Sequence, residues 1–347
     1  MKSRKISLCV PSYNRPDTLQ QLIRSFMLQD YQNKELIISD DSSTDDVETL
    51  VKKLHYSRIH YYRNTPSLGF PKNLLASILH AEGDYLVTIG DDDVLFSPKS
   101  LSKYVEVFDN NPEVHFIYSN QVQFNSGGMV ESIITKFKND ILFGKGTESL
   151  DNMFLHSIFI GGQGFRRNTK FKDLYPKKNI LHPQVQLVGS ILAEHASYGV
   201  ADYCVGVRSH EDQIIFRALK NKHIQMDGDH MNIELPIIYR DICKKYSIKS
   251  HEPLLIEQLI NNYPPVIIKE KMYLGNTILK KYYYKFCNLS PIAADSLKLK
   301  LLYAVSSITP TSVLAVFRQV MMGMVRLYNF SKFKKEEKFL QNILNTS

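Results

Sequence analysis

Short apolar runs alternate with helically spaced apolar positions over roughly the first 120 residues, the pattern of β–α units wrapped on a largely parallel sheet. Residues 6–10, 35–39, 59–62 and 85–89 read as strands. Between the first two, Leu19, Leu22, Ile23 and Phe26 recur at helical spacing behind Pro16 and Asp17, a helix-start signal. Leu74, Leu75, Ile78 and Leu79 mark a helix before the fourth strand, and Pro98 opens another that runs to about Asn110. Beyond Val114 the pattern turns to β-like pieces at 116–120 and 122–125 with a Gly127-Gly128 turn. A helix near 149–156, a strand at 159–166, a helix near 184–194 and a strand near 198–205 follow, so the sheet is expected to be mixed.

After residue 215 the chain reads as helical and interrupted, with Pro236, Pro253, Pro264-Pro265, Pro291 and Pro310 as punctuation. The expected organisation is a catalytic α/β domain over 1–215 and a helical region over 216–347. Charge separates the same two parts. Residues 1–215 hold 23 Lys and Arg against 25 Asp and Glu, whereas 216–347 hold 20 against 10. A basic C-terminal third beside a mildly acidic body points to a local anionic partner such as the inner surface of a membrane, not to nucleic acid. Val313, Val316, Phe317, Val320, Met321, Met324 and Tyr328 share one helical face, flanked by Lys332, Lys334 and Lys335 with Phe330 and Phe333, as an interfacial helix would be.

Composition is that of a globular protein, 44% apolar and 22% charged, which excludes collagen-like and mucin-like classes. Cys9, Cys204, Cys243 and Cys287 show no metal-ligand spacing and read as reduced core thiols, hence a cytoplasmic setting on the cytosolic face of the membrane. The stretch 301–317 lacks charge but falls short of the about 20 apolar residues of a bilayer span.

Candidate chemistry gathers where strands end. Asp91-Asp92-Asp93 follows the fourth strand, and in an extended segment Asp91 and Asp93 would point to one side and converge on a hard divalent ion, Mg²⁺ or Mn²⁺, with Asp92 facing away. Three adjacent carboxylates repel one another without a cation. After the second strand, Asp40 or Asp41 could accept hydrogen bonds from a base or ribose, while Thr44 or Asp45 would cap the next helix. The first strand is followed by Pro11-Ser12-Tyr13-Asn14-Arg15-Pro16, without glycine, so neither a dinucleotide fingerprint nor a P-loop is present.

Val10-Pro11-Ser12-Tyr13-Asn14-Arg15, Ile38-Ser39-Asp40-Asp41-Ser42-Ser43-Thr44-Asp45, the segment 64–73 with Leu68-Gly69 and Lys72-Asn73, Gly83-Asp84-Tyr85 and Asp91-Asp92-Asp93 occur in that order over about residues 5–125. Together they resemble the family-2 inverting glycosyltransferases. The resemblance implies a GT-A fold, a nucleotide-sugar donor and inversion at the anomeric carbon. It further implies that Pro11 and Tyr13, with Asn14 in the same stretch, border the base, that Asp41 meets the nucleobase with Asp40 beside it, and that Lys72 lies near the diphosphate. Asp93 would bind metal, and Asp91 and Asp92 would approach the ribose, Asp91 being the other outer carboxylate. A weaker similarity through Gly161-Gly162 and Phe165-Arg166-Arg167 to His182-Pro183-Gln184 extends to bacterial surface-polysaccharide transferases of the abequosyltransferase type, for which a polyprenyl-linked oligosaccharide is the expected acceptor.

Inversion requires a base for the acceptor hydroxyl. The family carries an Asp or Glu where this chain reads Asn179-Ile180-Leu181-His182-Pro183-Gln184, so His182 is the candidate by its near-neutral titration. Asp173, Glu211 and Asp212 are its rivals. Two competing readings are a nucleotide- or glycan-binding module that has lost its base, and a phosphatase with Asp91 as nucleophile, whose motif belongs on a first strand.

Overall fold

The computed structural model describes residues 3–135, 137–167, 170–176, 182–209, 231–316, 320 and 333–344. It divides into two compact units, one built from Met1–Pro176, Pro183–Ser209 and Asn329–Ser347, the other from Lys177–His182 and His210–Tyr328.

The first unit is organised on a mixed sheet. β1 (Ile6–Ser12) pairs in parallel with β2 (Lys34–Asp40) and with β4 (Tyr85–Thr88), and β2 pairs in parallel with β3 (Ile59–Arg63). All seven residues of β1 and of β2 are buried, as expected for strands covered on both faces. The covering helices are α1 (Pro16–Met27), α2 (Asp46–Leu54), α3 (Phe70–Leu79) and α4 (Ser100–Asn110). α1 begins at Pro16 and buries Leu19, Leu22, Ile23 and Phe26 against the strands, the spacing of a single helical face.

Beyond β4 lie β5 (Val94–Leu95), β6 (Val114–Phe124), β7 (Val130–Thr135), β8 (Ile141–Phe143), β9 (Gln163–Arg166) and β10 (Ala196–Arg208). The strand order is β3-β2-β1-β4-β9-β6-β10-β5, with β7 on β6 and β8 on β10. The two β-like pieces at 116–125 are one strand, β6. β9 runs antiparallel between β4 and β6, and is shorter than the 159–166 expected from its apolar run. Residues 159–162 instead form a loop at the strand's start. α5 (Thr147–Met153), α6 (Phe171–Leu174) and α7 (Pro183–Glu194) complete the α/β part.

Chain order reverses between β2-β1 and β1-β4, so the C-terminal ends of β1 and β4 flank a topological switch point, the place where open α/β sheets bind ligands.

In the second unit α8 (Met231–Lys245), α9 (Glu252–Leu289), α10 (Pro291–Asp295) and α11 (Leu297–Ile308) form a helical cluster. Pro253 and Pro291 stand in the first turns of their helices, where the missing N–H costs nothing. Pro236 lies inside α8 and 264–265 inside α9, so these prolines do not punctuate; α9 breaks at Gly275, whose φ of 79° is open to glycine. The expected domain boundary at 215 falls outside the described residues. Among the described residues no helix is long and apolar enough to cross a membrane.

The C-terminal helix α12 (Lys334–Leu344) belongs to the first unit. Phe333, Leu340 and Ile343 are buried with Val94, Phe96, Val122, Phe124 and Val130, and Phe333 meets Phe96 and Tyr203 edge-on at 6.1 and 5.0 Å. This corrects the reading of Phe333 as part of an interfacial flank: a sheet edge lacking its own apolar cover claims the ring. Phe330 and Lys332 lie outside the described residues.

Candidate active site

The acidic corner is a turn, and that decides its geometry. β4 ends at Thr88, β5 opens at Val94, and the Asp93 N–H donates to the Gly90 carbonyl at 3.2 Å. The expectation that Asp91 and Asp93 share one side assumed extended backbone and does not hold. Asp91 turns back to β1: its Oδ2 accepts from Ser12 Oγ at 3.2 Å and the Tyr13 N–H at 3.0 Å, and its Oδ1 from Arg15 at 2.8 Å. The same Arg15 nitrogen reaches Asp92 Oδ2 at 2.7 Å, so Asp92 does not face away. Asp93 Oδ1 accepts the Arg208 N–H at 3.1 Å. The Arg208 side chain donates to the Asp92 carbonyl at 3.0 Å and to Gln21, and lies over the Phe124 ring at 5.0 Å.

Asp92 Oδ1 and Asp93 Oδ2 both lie against Gly90, where a Cβ would stand 2.9 and 3.0 Å from them. Gly161 gives a second close approach, its Cβ position 3.3 Å from Asp93 Oδ2. The loop that carries it is tied to β4: Thr88 Oγ1 donates to the Ile160 carbonyl at 2.6 Å and the Gly162 N–H to the Thr88 carbonyl at 2.9 Å.

Burial sets the electrostatics. Desolvation pushes Asp91 up to about 6, against the pull of Arg15 and with a further push from Asp92. Desolvation and then Asp92 raise Asp93 well above the carboxylate range, opposed by the Arg208 N–H and guanidinium. Arg15 and the Arg208 N–H thus oppose, without cancelling, the effect of burial on these two carboxyls. Asp93 Oδ2 makes no hydrogen bond among the described residues and, like Asp92 Oδ1, is a hard carboxylate oxygen beside the Gly90 notch. That donor set fits a divalent cation. Among the described residues no three or more His, Cys, Asp or Glu converge on one point.

The neighbouring strand ends are bound mostly to each other. Asp40 is fully buried and accepts from Ser42 N–H at 2.9 Å, Ser42 Oγ, Tyr61 Oη at 2.7 Å and Arg63 at 3.4 Å. It is committed to structure. Asp41 accepts from Asn64 at 2.8 Å and from Ser67 Oγ and the Leu68 N–H at 3.1 Å each, which staples the 64–68 loop to the end of β2. Asn73 completes the network, accepting from Asn64 at 3.0 Å and donating to the Ser12 carbonyl at 3.1 Å. Asn14, at φ 53°, binds Ser43 through its amide and so joins the loops after β1 and β2. Thr44 bonds Asp46, and Asp45 makes no capping bond but lies 3.6 Å from Arg63, so neither provides the expected cap.

Pro11 is buried in β1, Tyr13 presents a half-exposed ring, and Lys72 is exposed in the first turn of α3. Ser12, Tyr13, Asp41 and Asp91 are therefore gathered at one edge of the sheet by direct bonds between strand ends. Sequence spacing by itself marks neither Arg15 nor Arg208 as a partner of these carboxylates. The signal for them was indirect: buried carboxylates need cations, and Arg15 stands within the quoted motif.

In the second unit, His182 offers both its N–H and its Nδ1 to Glu234 Oε2 at 3.1 Å. Glu234, on α8, is a carboxylate partner more than fifty residues away in sequence. Asp173 lies in α6, while Glu211 and Asp212 lie outside the described residues.

Residues 7–168 match the family model for glycosyl transferase family 2. Over those residues the chain is similar to the family 2 glycosyltransferases. The chain is 36% identical over 115 residues to abequosyltransferase RfbV of Salmonella typhimurium, covering 32% of this chain and 34% of that protein. It is 34% identical over 116 residues to a GalNAc(5)-diNAcBac-PP-undecaprenol beta-1,3-glucosyltransferase of Campylobacter jejuni, covering 30% and 38%. Matches to such relatives span from 33% to 64% of the relatives' own length for the first four. A structure of S. aureus TarS in complex with UDP-GlcNAc superposes with a TM-score of 0.59 at 14% identity, covering 91% of this chain and 92% of that one. That likeness establishes the GT-A fold around the matched residues.

Proposed function

We propose that the chain is a metal-assisted, inverting glycosyltransferase that moves one sugar from a nucleotide-sugar donor to a polyprenyl-linked oligosaccharide in bacterial surface-polysaccharide synthesis. The observation that carries this reading is the buried Asp91-Asp92-Asp93 turn at the sheet's switch point, within the residues that match the family 2 model. The names of the similar proteins, an abequosyltransferase and an undecaprenol-linked glucosyltransferase, support the substrate classes.

Tyr13 offers a ring on which a base can stack, and Asp41, with the loop it anchors, borders the same edge. Lys72 supplies positive charge at the start of α3 for a diphosphate. Asp93, with Asp92 beside it, would hold Mn²⁺ or Mg²⁺, which supplies electrostatic stabilisation of a departing nucleoside diphosphate. Asp91 keeps Arg15 and the Tyr13 backbone in place through the bonds described above. For the base we carry His182 forward on its chemistry: a proton on Nδ1 facing Glu234 leaves Nε2 free to accept one from an acceptor hydroxyl.

A panel of nucleotide sugars, assayed for transfer to a prenyl-diphosphate-linked saccharide with and without Mn²⁺, tests the reading. One donor is expected to be consumed with release of its nucleoside diphosphate, only with metal present, and not by the Asp93→Asn variant. Metal-independent turnover, or full activity in that variant, overturns it.

A further inference from the structure

The second unit carries an apolar ridge that its own core does not use. Leu297, Leu301, Val305 and Ile308 on α11 are 69, 57, 56 and 81% exposed. At 100° per residue they fall within one narrow arc of the helix. The opposite face does the packing: Leu299 and Ser306 are buried, and Tyr303 stacks on Tyr283 of α9 at 3.9 Å. The exposed arc is thus a second apolar face. Past Pro310, in the helical segment 311–316 and at residue 320, Val313, Val316 and Val320 repeat the pattern at i, i+3 and i+7 and stand exposed, while Leu314 turns inward.

Charge says what such a face meets. Lys298 and Lys300 lie on the two borders of the α11 arc, Lys298 with its amine bonded to Asn261 at 2.8 Å. From Ser296 to Tyr328 the sequence has four Lys or Arg and no Asp or Glu. A second copy of the chain, docked face to face about a two-fold axis, would bring these like charges together. An anionic lipid surface neutralises them while taking up the valines and leucines, with the lysine stems reaching back to the headgroups.

We propose that the Leu297–Ile308 helix and the exposed valines after Pro310 form the face by which this chain lies on an anionic bilayer. The proposal deepens the lipid-linked acceptor reading above, but its readout needs neither donor nor acceptor.

The full chain should co-sediment with phosphatidylcholine vesicles containing phosphatidylglycerol at low salt, and much less with phosphatidylcholine alone or at high salt. Leu301→Asp with Val305→Asp should lower vesicle affinity at least about tenfold, and Val313→Ser with Val316→Ser should weaken it as well, both with unchanged melting temperature. Lys298→Gln and Lys300→Gln should each lower affinity for anionic vesicles about fivefold. Unchanged binding by both apolar variants, or equal binding to neutral vesicles, overturns the proposal. So does a wild-type dimer in solution that the apolar variants convert to monomer, since the ridge would then belong to a second copy. A chain that transfers sugar to a water-soluble acceptor yet ignores vesicles refutes only the ridge, and one that binds vesicles without any transfer refutes only the enzymatic reading.

Discussion

The two ends of the sheet both bury acidic side chains, and they do so in opposite ways. At the N-terminal end, Glu35 on β2 is 1% exposed. Desolvation pushes its carboxyl up, but hydrogen bonds from Lys5, Ser7 and the Glu82 N–H, together with the Lys5 charge, more than offset this, and it sits below its ordinary value. At the C-terminal end Asp91 and Asp93 are 4 and 3% exposed and both are raised. Burial is equal, and local compensation differs. Opposed by close cations and donors, burial leaves the Glu35 carboxyl depressed; less opposed, it raises Asp91 and Asp93, the kind of perturbation that functional sites concentrate.

The sharpest break in this contrast is Asp93→Asn. It should lower transfer by about a thousandfold while leaving the melting temperature unchanged or higher, because the charge that burial disfavours is gone; initial rates and thermal unfolding on one preparation check both halves. Gly90→Ala comes next. Its Cβ would crowd the Asp92 and Asp93 oxygens, and displacement of the order of 1 Å is expected to cost about a hundredfold in rate, again with the fold retained.

Glu35→Gln should do the reverse, destabilising by about 2 kcal/mol in denaturant titration with kcat/KM intact; lost activity in a folded variant would erase the distinction between the ends. The N-terminal end also contributes to the response to acid. His115, near the start of β6 and stacked on His195 at 3.5 Å, is lowered to about 4 by burial, with His195 and Arg166 adding to it. Below an unfolded value of 6.5 the unfolded chain takes up a proton that the folded chain refuses, so stability falls from pH 6.5 toward 4. Glu35, depressed, adds a loss below its unfolded value of 4.5. His115→Gln should flatten the upper part of that slope in denaturation curves taken across the range. The smallest effect is expected at exposed Lys72, where Lys72→Ala should change stability by less than about 0.5 kcal/mol and appear only as a raised KM for donor.

Much of the first unit was legible from its periodicity, since β1, β2, β4 and α1 bury every apolar position that the pattern marked. The insertion of β9 between β4 and β6 was not legible, because it joins residues about eighty apart and local spacing carries no record of such a pairing. Among candidate site residues, Tyr13, Asp41 and the acidic triplet are gathered at one sheet edge as expected, but their partners were hidden. Arg208 reaches Asp93 from the end of β10, Glu234 meets His182 from α8, and Phe333 fills a core from a segment whose lysines suggest a lipid surface. Each is a long-range contact made by a residue type that is ordinary in its own neighbourhood.

Residue order alone determined which strands would alternate with which helices, where carboxylates would cluster, and that the C-terminal third would be basic, because those properties reside in local spacing and in summed charge. Only the tertiary structure decided that Asp91 serves Arg15 and the Tyr13 loop, that Asp93 Oδ2 lies against Gly90 and Gly161, and which apolar face of α11 is left to the surroundings. Those outcomes depend on desolvation and on partners brought from distant parts of the chain, and neither exists until the chain has folded.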